Sequence, residues 1–393
     1  MVRKEFASLG MLLCFMLISL SIGGEARAQS GITVGAIQTT AGPLAPFGRE
    51  INAGLNDALM TANEDGGING KKIKYVMVDG TYQPAEDKIT FEKMLAAHNP
   101  LVAFGNSTEL TKIMADEITK RFRVLYSGAT FSSDAASATV HPSMFVPGPT
   151  YGDQMAMLLK YIAKEKPGAT IAFVHSDTEF GRDPIKFGKL MCRRLRMEVV
   201  SEQVADIKGG DVGNLVTALS KANPDYVVLH GFLVSPVPEI IKQSRDLGMK
   251  CTFAGTFYGA TEMLLEKLGP LAEGYLAINP YSYWWMEKNP TIKKIRDYTA
   301  KNYPNVTSRP IYYMQGYFTG MVFVECLKRA DKAGKLNYDG LVDALKSLNE
   351  FDTGGLTPPV SIKNNRFPIG RVWRANVKKG VFEPVSEDLK LYD

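Results

Sequence analysis

A chain of 393 residues is too long for one small core and predicts two lobes of ordinary domain size. Hydrophobic residues at 45% and charged residues at 22% sit near globular averages, which excludes a disordered chain and a multi-span membrane protein. The formal charge of +5 comes from 46 basic and 41 acidic residues mixed along the chain, and no Lys/Arg cluster interleaves with aromatics, so nucleic-acid binding has no support.

The N-terminus reads as an export signal. Arg3 and Lys4 precede an apolar run from Leu9 to Ile22, and Ala26-Arg27-Ala28 supplies a small-x-small cleavage pattern before Gln29. The run is too short and wrongly flanked for a membrane span. Residues 1–28 are therefore expected to be a signal peptide, which places the mature protein in the periplasm. Cys192, Cys251 and Cys326 then remain. Their odd number excludes a fully paired set, their spacings match no metal motif, and buried free thiols are expected.

From Gly31 onward strand and helix signals alternate. Ile32 to Ile37 reads as a buried strand, followed by a Gly/Pro loop that holds Phe47. Ile51, Leu55, Ala58, Leu59 and Ala62 then recur at helical spacing. Asp65 to Gly70 supplies the Gly and Asn residues that stop this helix. A strand from Lys74 to Asp79, a helix opened by Pro84 and a strand from Leu101 to Phe104 follow. The next helix places Leu110, Ile113, Met114 and Ile118 on one face, and Arg123 to Ser127 is another strand. Repeated βα units of this length imply a parallel sheet covered on both faces.

A Pro/Gly-rich stretch at residues 147–150 marks a lobe boundary, and a second series begins at Tyr151. A helix carrying Met155, Leu158, Leu159 and Ile162 leads to strands at Thr170 to His175, Tyr226 to Leu229, Thr252 to Gly255 and Tyr275 to Ile278. Asn279-Pro280 is a second crossing. Helices near 290–302 and 310–331 are expected to pack back on the first lobe, and the tail from Thr357 is strand-like with a turn at Lys379-Gly380.

Enzyme signatures are missing. There is no G-x-S-x-G, no H-E-x-x-H, no phosphate loop and no CxxC pair, and the first strand opens no G-x-G-x-x-G. His98, His141, His175 and His230 are scattered without metal-ligand spacing. The expectation is a binding protein with no cofactor and no metal, rather than an enzyme.

Several stretches in order carry a resemblance: ITVGAIQTTAGPLAPFGRE, NEDGGINGKKI, VDGTYQPAED, VAFGNSTEL, VLYSGAT, IAFVHSDTEFGRD and EIIKQSRDLGMKCTFAGT. Together they resemble the type I periplasmic binding proteins of the branched-chain amino-acid importer family, over essentially the whole mature chain. The resemblance implies an α/β fold of two doubly wound lobes joined by three crossings and closing over a ligand by hinge motion. The lobes would comprise residues 29–148 with 280–354, and 149–279 with 355–393. In such sheets ligands sit beyond the carboxyl ends of the strands, so the loops after Phe104, Ser127, His175, His230 and Gly255 are the candidates.

The resemblance further implies a ligand carboxylate held by Ser107 or Thr108 and by Ala129 with Thr130, through hydroxyls and free backbone N–H groups. Ser107 or Thr108 as a plain helix cap is the alternative. Where amino-acid binders carry an acidic partner for the ligand's ammonium, this sequence has Phe257, and a second such position falls on Tyr151. A buried ammonium without a carboxylate partner is costly. The ligand is therefore expected to be a carboxylate with a nonpolar or aromatic body, enclosed by Phe47, Tyr151, Phe180, Phe232 and Phe257. Tyr281, Tyr283, Trp284 and Trp285 either line the cleft mouth or pack the hinge. The expected partner is the membrane permease of an ABC importer, with the receptor itself a monomer. A branched-chain amino-acid receptor, a sensory module for a membrane receptor and a secreted hydrolase are the rival readings.

Overall fold

Residues 31–391, described by a computed structural model, build two separate sheets; the expected signal segment lies outside the described residues. The first sheet comes from β1 (Ile32–Gln38), α1 (Ala45–Glu64), β2 (Ile73–Asp79), α2 (Pro84–His98), β3 (Val102–Gly105), α3 (Thr108–Asp116) and β4 (Leu125–Gly128). Its strands run parallel in the order β2-β1-β3-β4. Every residue of β3 and β4 is buried, as a sheet covered on both faces requires. The α2 and α3 side chains Phe91, Met94, Leu110 and Met114 cover one face, and α1 covers the other.

The chain then enters α4 (Tyr151–Glu165), β5 (Thr170–Ser176), α5 (Glu179–Arg182), α6 (Ile185–Arg194), β6 (Glu198–Ala205), α7 (Gly213–Ala222), β7 (Tyr226–His230), α8 (Val237–Asp246), β8 (Thr252–Gly255), α9 (Glu262–Leu268) and β9 (Leu276–Asn279). After β9 come α10 (Pro290–Asn302), α11 (Ile311–Lys332) and α12 (Tyr338–Lys346), and then β10 (Ile369–Asn376), β11 (Val381–Pro384) and β12 (Leu389–Lys390). The second sheet runs β11-β10-β9-β8-β7-β5-β6, with β12 on β10. Its β5–β9 pairs are parallel, while β10 and β11 add as antiparallel strands. The tail from Thr357 thus joins the second sheet.

Helix α11 returns to the first sheet and packs along α1. The two helices meet backbone to backbone at a pair of glycines. A Cβ on Gly54 would lie 2.0 Å from the Tyr313 carbonyl oxygen, and one on Gly316 would lie 2.1 Å from that of Ile51. Only glycine permits this approach.

Two expectations need correction. Phe47 lies in the first turn of α1 and not in a loop, because Pro46 occupies the start of the helix, where a missing N–H costs nothing. Ile113 is 42% exposed, since the buried stripe of α3 runs through Leu110, Thr111, Met114 and Ala115. The sequence reading also missed β6, whose residues are mostly half-buried or exposed at the sheet edge, and the helix α12. Cys192, Cys251 and Cys326 are buried free thiols, as expected.

Candidate functional site

The loops at the carboxyl ends of β3, β4, β5, β7 and β8 all feed one buried cluster. All nine candidate residues are inside it or against it: Phe47, Ser107, Thr108, Ala129, Thr130, Tyr151, Phe180, Phe232 and Phe257 are each 5% exposed or less.

Its polar centre is made of hydroxyls. The Thr108 Oγ1 atom lies 2.8 Å from Thr130 Oγ1 and 3.2 Å from the Tyr151 hydroxyl. Tyr151 is fixed at the start of α4 by a reciprocal cap. Thr150 Oγ1 accepts the Asp153 N–H at 3.1 Å, and Asp153 Oδ2 accepts the Thr150 N–H at 3.0 Å. The Tyr151 N–H itself donates to the Phe131 carbonyl at 2.7 Å. Burial pushes the Tyr151 phenol well above its ordinary range, so it stays a neutral O–H donor. Two of the three hydroxyl protons are spent on bonds within the trio, and rotation of these O–H groups would re-aim them at an entering anion. Hydrogen bonds to a charged group contribute about 1.5–3 kcal/mol each, comparable in sum to the several kcal/mol that burying a carboxylate costs.

One of the expected carboxylate contacts falls away and one takes a second role. Ser107 is turned into its own helix, where its Oγ accepts the Leu110 N–H at 3.1 Å as an N-cap. The Ala129 N–H is already committed to the Gly105 carbonyl at 2.9 Å, so it is not a free donor. Thr108 and Thr130 form the hydroxyl pair, and the Ser107 cap bond leaves its own O–H proton free to donate.

Aromatic rings surround these hydroxyls. Tyr151 stands 5.2 Å from Phe180 and 4.9 Å from His230, centroid to centroid. Phe180 meets Tyr258 at 5.2 Å, Tyr258 meets Phe47 at 5.3 Å, and Phe47 meets Tyr312 at 5.1 Å. Phe257, where an acid was sought, packs 5.0 Å from Phe131 and 5.5 Å from Tyr281, with its N–H donating to Gln154 Oε1 at 3.0 Å. Phe232 is buried in the same cluster. Edge-to-face pairs of this kind contribute about 0.5–1.5 kcal/mol each beyond area burial.

Two glycines let the Phe180 and His230 rings meet. A Cβ on Gly231, which has φ +84°, would fall 2.4 Å from the Gly181 Cα, so the turn after β7 must lie directly on α5. His230 Nε2 donates to the Phe180 carbonyl at 2.8 Å, which leaves Nδ1 to accept from the Thr256 hydroxyl at 2.7 Å. Burial lowers its pKa to about 3, so the imidazole is neutral.

Sequence reasoning missed His230, Tyr258, Tyr312, Gln315 and Tyr82 as parts of this site. The Tyr312 hydroxyl donates to the Tyr258 carbonyl at 2.7 Å, and Gln315 Nε2 donates to the Tyr258 hydroxyl at 3.2 Å. Tyr82 holds φ +60°, unusual for a bulky side chain, and its phenol is pushed well above the ordinary range by burial and then by Glu109, Tyr258 and Asp87. That positive φ is invisible in the sequence. Tyr281 and Tyr283 are buried packing residues, whereas Trp285 is 39% exposed beside a groove of about 550 Å³ that Trp284, Arg49, Glu262 and Arg309 also line.

Among the described residues no helix is long and apolar enough to cross a membrane, and no group of His, Cys, Asp and Glu is placed to hold a metal.

A family model described as periplasmic binding protein matches residues 31–381. The Leu/Ile/Val-binding protein homolog 3 of Brucella melitensis biotype 1 is 23% identical over 88% of this chain and 95% of its own length. A branched chain amino acid ABC transporter protein from Thermus thermophilus, solved with bound valine, superposes with a TM-score of 0.84 at 23% identity, covering 93% of this chain and 97% of that one. A solute-binding protein of an ABC transporter from R. palustris, solved with benzoate, superposes with a TM-score of 0.78 at 15% identity over 92% of this chain and 98% of that one.

Proposed function

The chain belongs to the periplasmic binding protein family, and from that premise we propose that it is the substrate-binding component of an ABC importer, capturing a small carboxylate with a nonpolar or aromatic body. The expected signal peptide carries it to the periplasm, where it delivers ligand to a membrane permease. The lobes are those of residues 29–148 with 280–354 and 149–279 with 355–393, and closure between them seals the ligand.

One observation carries the ligand class: the Thr108, Thr130 and Tyr151 hydroxyls converge within a wall of aromatic rings. The hydroxyls would take the carboxylate and the rings the body. Phe257 supports the absence of an ammonium group, because its ring is fully buried where an acidic partner was sought. The R. palustris protein that was solved with benzoate supplies a fold-level parallel.

A second reading has its own observation. Glu109 follows Thr108 directly, and its Oε2 is buried without a hydrogen-bond partner. That oxygen would meet the ammonium of an amino acid such as leucine or valine, in keeping with the names of the B. melitensis and T. thermophilus relatives. Calorimetric titration of the purified protein with benzoate, leucine and valine separates the two. Benzoate binding without leucine binding is the expected result. Tight leucine binding that Glu109→Gln abolishes would replace the first reading with the second.

A further inference from the structure

Lys112 sits on α3, one turn beyond Thr108, at the rim of the cluster. Its Nζ lies 3.2 Å from Asp134 Oδ2 on its own side. It also reaches the segment of the second sheet, 3.1 Å from Glu179 Oε2 and 3.7 Å from Asp183 Oδ2. The Asp183 side chain is only 7% exposed and accepts the Ser132 hydroxyl at 2.6 Å, another contact between the two sides. A third joins them where the Phe180 N–H donates to Glu109 Oε1 at 3.2 Å. Phe180, between Glu179 and Gly181, is itself a wall of the candidate site. Glu179 and the Phe180 ring that covers the ligand therefore belong to one short helix, α5, and Asp183 follows it directly.

The charges make this rim conditional on Lys112. Asp134, Glu179 and Asp183 converge on one ammonium, while Arg182 is held on the outer side by Glu179 and Asp177. Without Lys112 the three carboxylates face one another, and burial already raises the Asp183 pKa. With the two sides apart, Lys112 would keep Asp134 alone, and its bonds to Glu179 and Asp183 would be gone.

We infer that Lys112 is a latch across the ligand cleft, closing on Glu179 and Asp183 and so setting how long a bound carboxylate is retained. The inference rests on the proposed ligand-binding role, and it assigns to Lys112 a positioning function without contact to the ligand.

The test reads the latch both with and without ligand. Treating the full-length mature protein with a water-soluble carbodiimide, which joins an amine and a carboxylate already in contact, is expected to link the Lys112 peptide to the peptide carrying Glu179 and Asp183. Benzoate should increase the yield. Lys112→Met and Glu179→Gln are each expected to raise the benzoate dissociation rate about two- to fivefold with little change in association rate, and 0.5 M salt should bring the unmodified protein toward the variants. Absence of the cross-link, or dissociation rates unchanged in both variants, overturns the latch. If the cross-link forms but benzoate does not bind, the latch stands and the ligand reading fails.

Discussion

The hydroxyl of Thr108, at the start of α3, lies 2.8 Å from that of Thr130, which follows β4, so two neighbouring parallel strands end in a hydrogen-bonded pair of hydroxyls. Neither needs a buried cation beside it to receive an anion. Thr108→Val keeps the shape and removes one donor. Benzoate affinity is expected to fall about 10- to 100-fold, the range for a hydrogen bond to a charged group, while Thr108→Ser stays close to the parent. Calorimetry on both variants checks this. A Thr108→Val dissociation constant within twofold of the parent would remove the hydroxyl pair from the binding site.

His230 makes stability depend on pH. Its folded pKa, lowered by burial to about 3, lies below the ordinary value of 6.5. Above 6.5 both folded and unfolded forms are neutral and nothing is lost. As pH falls below 6.5 the unfolded chain takes up a proton that the folded site refuses, so stability declines. At pH 5 this group alone costs about 2 kcal/mol. Urea unfolding of the parent and of His230→Gln at pH 7 and pH 5 should show the decline shrinking in the variant. Equal declines would mean that the imidazole accepts a proton in place.

Strand positions were legible wherever the chain wrote a continuous apolar run. The expected Thr252 to Gly255 matches β8, and β1 and β5 differ from the expected strands by one residue at their ends. The strand β6 was missed because its sequence EVVSEQVA has neither a continuous apolar run nor a period-2 alternation: Val199-Val200 and Val204-Ala205 are separated by three polar residues, as an edge strand that buries little permits. In the candidate site, Thr108, Thr130, Tyr151 and Phe257 were reachable only through the resemblance, whereas the loops that hold them, apart from that of Tyr151 at the start of α4, and the loop of Phe180 follow from the convergence of the carboxyl ends of parallel strands. The cap role of Ser107 was not reachable, since N-cap and ligand hydroxyl look alike in sequence and only the bond from the Leu110 N–H shows the cap. Nor was Ala129, whose N–H is committed to Gly105 by the pairing of β3 with β4. Tyr312 and Gln315 enter from α11, far along the chain, and only the close packing of α11 on α1 brings them to Tyr258.

Glu262 has the opposite sign to His230. The carboxylate, at the start of α9, accepts the Ile311 N–H at 3.0 Å, at the start of α11. Loss of water around it, helped by Glu266 and Glu50, pushes its pKa up to about 7 against the ordinary 4.5, despite the backbone N–H groups that it accepts. The folded form therefore binds the proton more readily. Its charged state costs stability above pH 7, and that cost is relieved as pH falls from 7 toward 4.5. Glu262→Gln keeps an acceptor for Ile311 without the charge. It is expected to gain about 1–2 kcal/mol at pH 8, part of the full conversion at 1.36 kcal/mol per pKa unit, and to gain nothing at pH 4.5. A variant less stable than the parent at pH 8 would show that the charge on this helix terminus is favourable.

Gly316 joins the fold to the site. It sits on the α11 face pressed against α1, one residue after Gln315 and four after Tyr312, both of which reach Tyr258. A methyl group there would meet the Ile51 carbonyl oxygen at 2.1 Å and the Leu55 nitrogen at 2.9 Å, both backbone atoms that no side-chain rotation can clear. Gly316→Ala must push α11 away from α1, at a cost of about 1–3 kcal/mol, and it moves Tyr312 and Gln315 with it. Lower thermal stability and weaker benzoate binding should appear together. Gly152→Ala, inside α4, is the contrast. Its Cβ would meet the Phe187 ring at 3.5 Å and Thr150 Oγ1 at 3.8 Å, both ordinary contacts, so the better helix propensity of alanine should leave the protein as stable as the parent or more stable by up to about 0.5 kcal/mol. Equal melting temperatures for the two variants would mean that α1 and α11 are not in contact at these glycines.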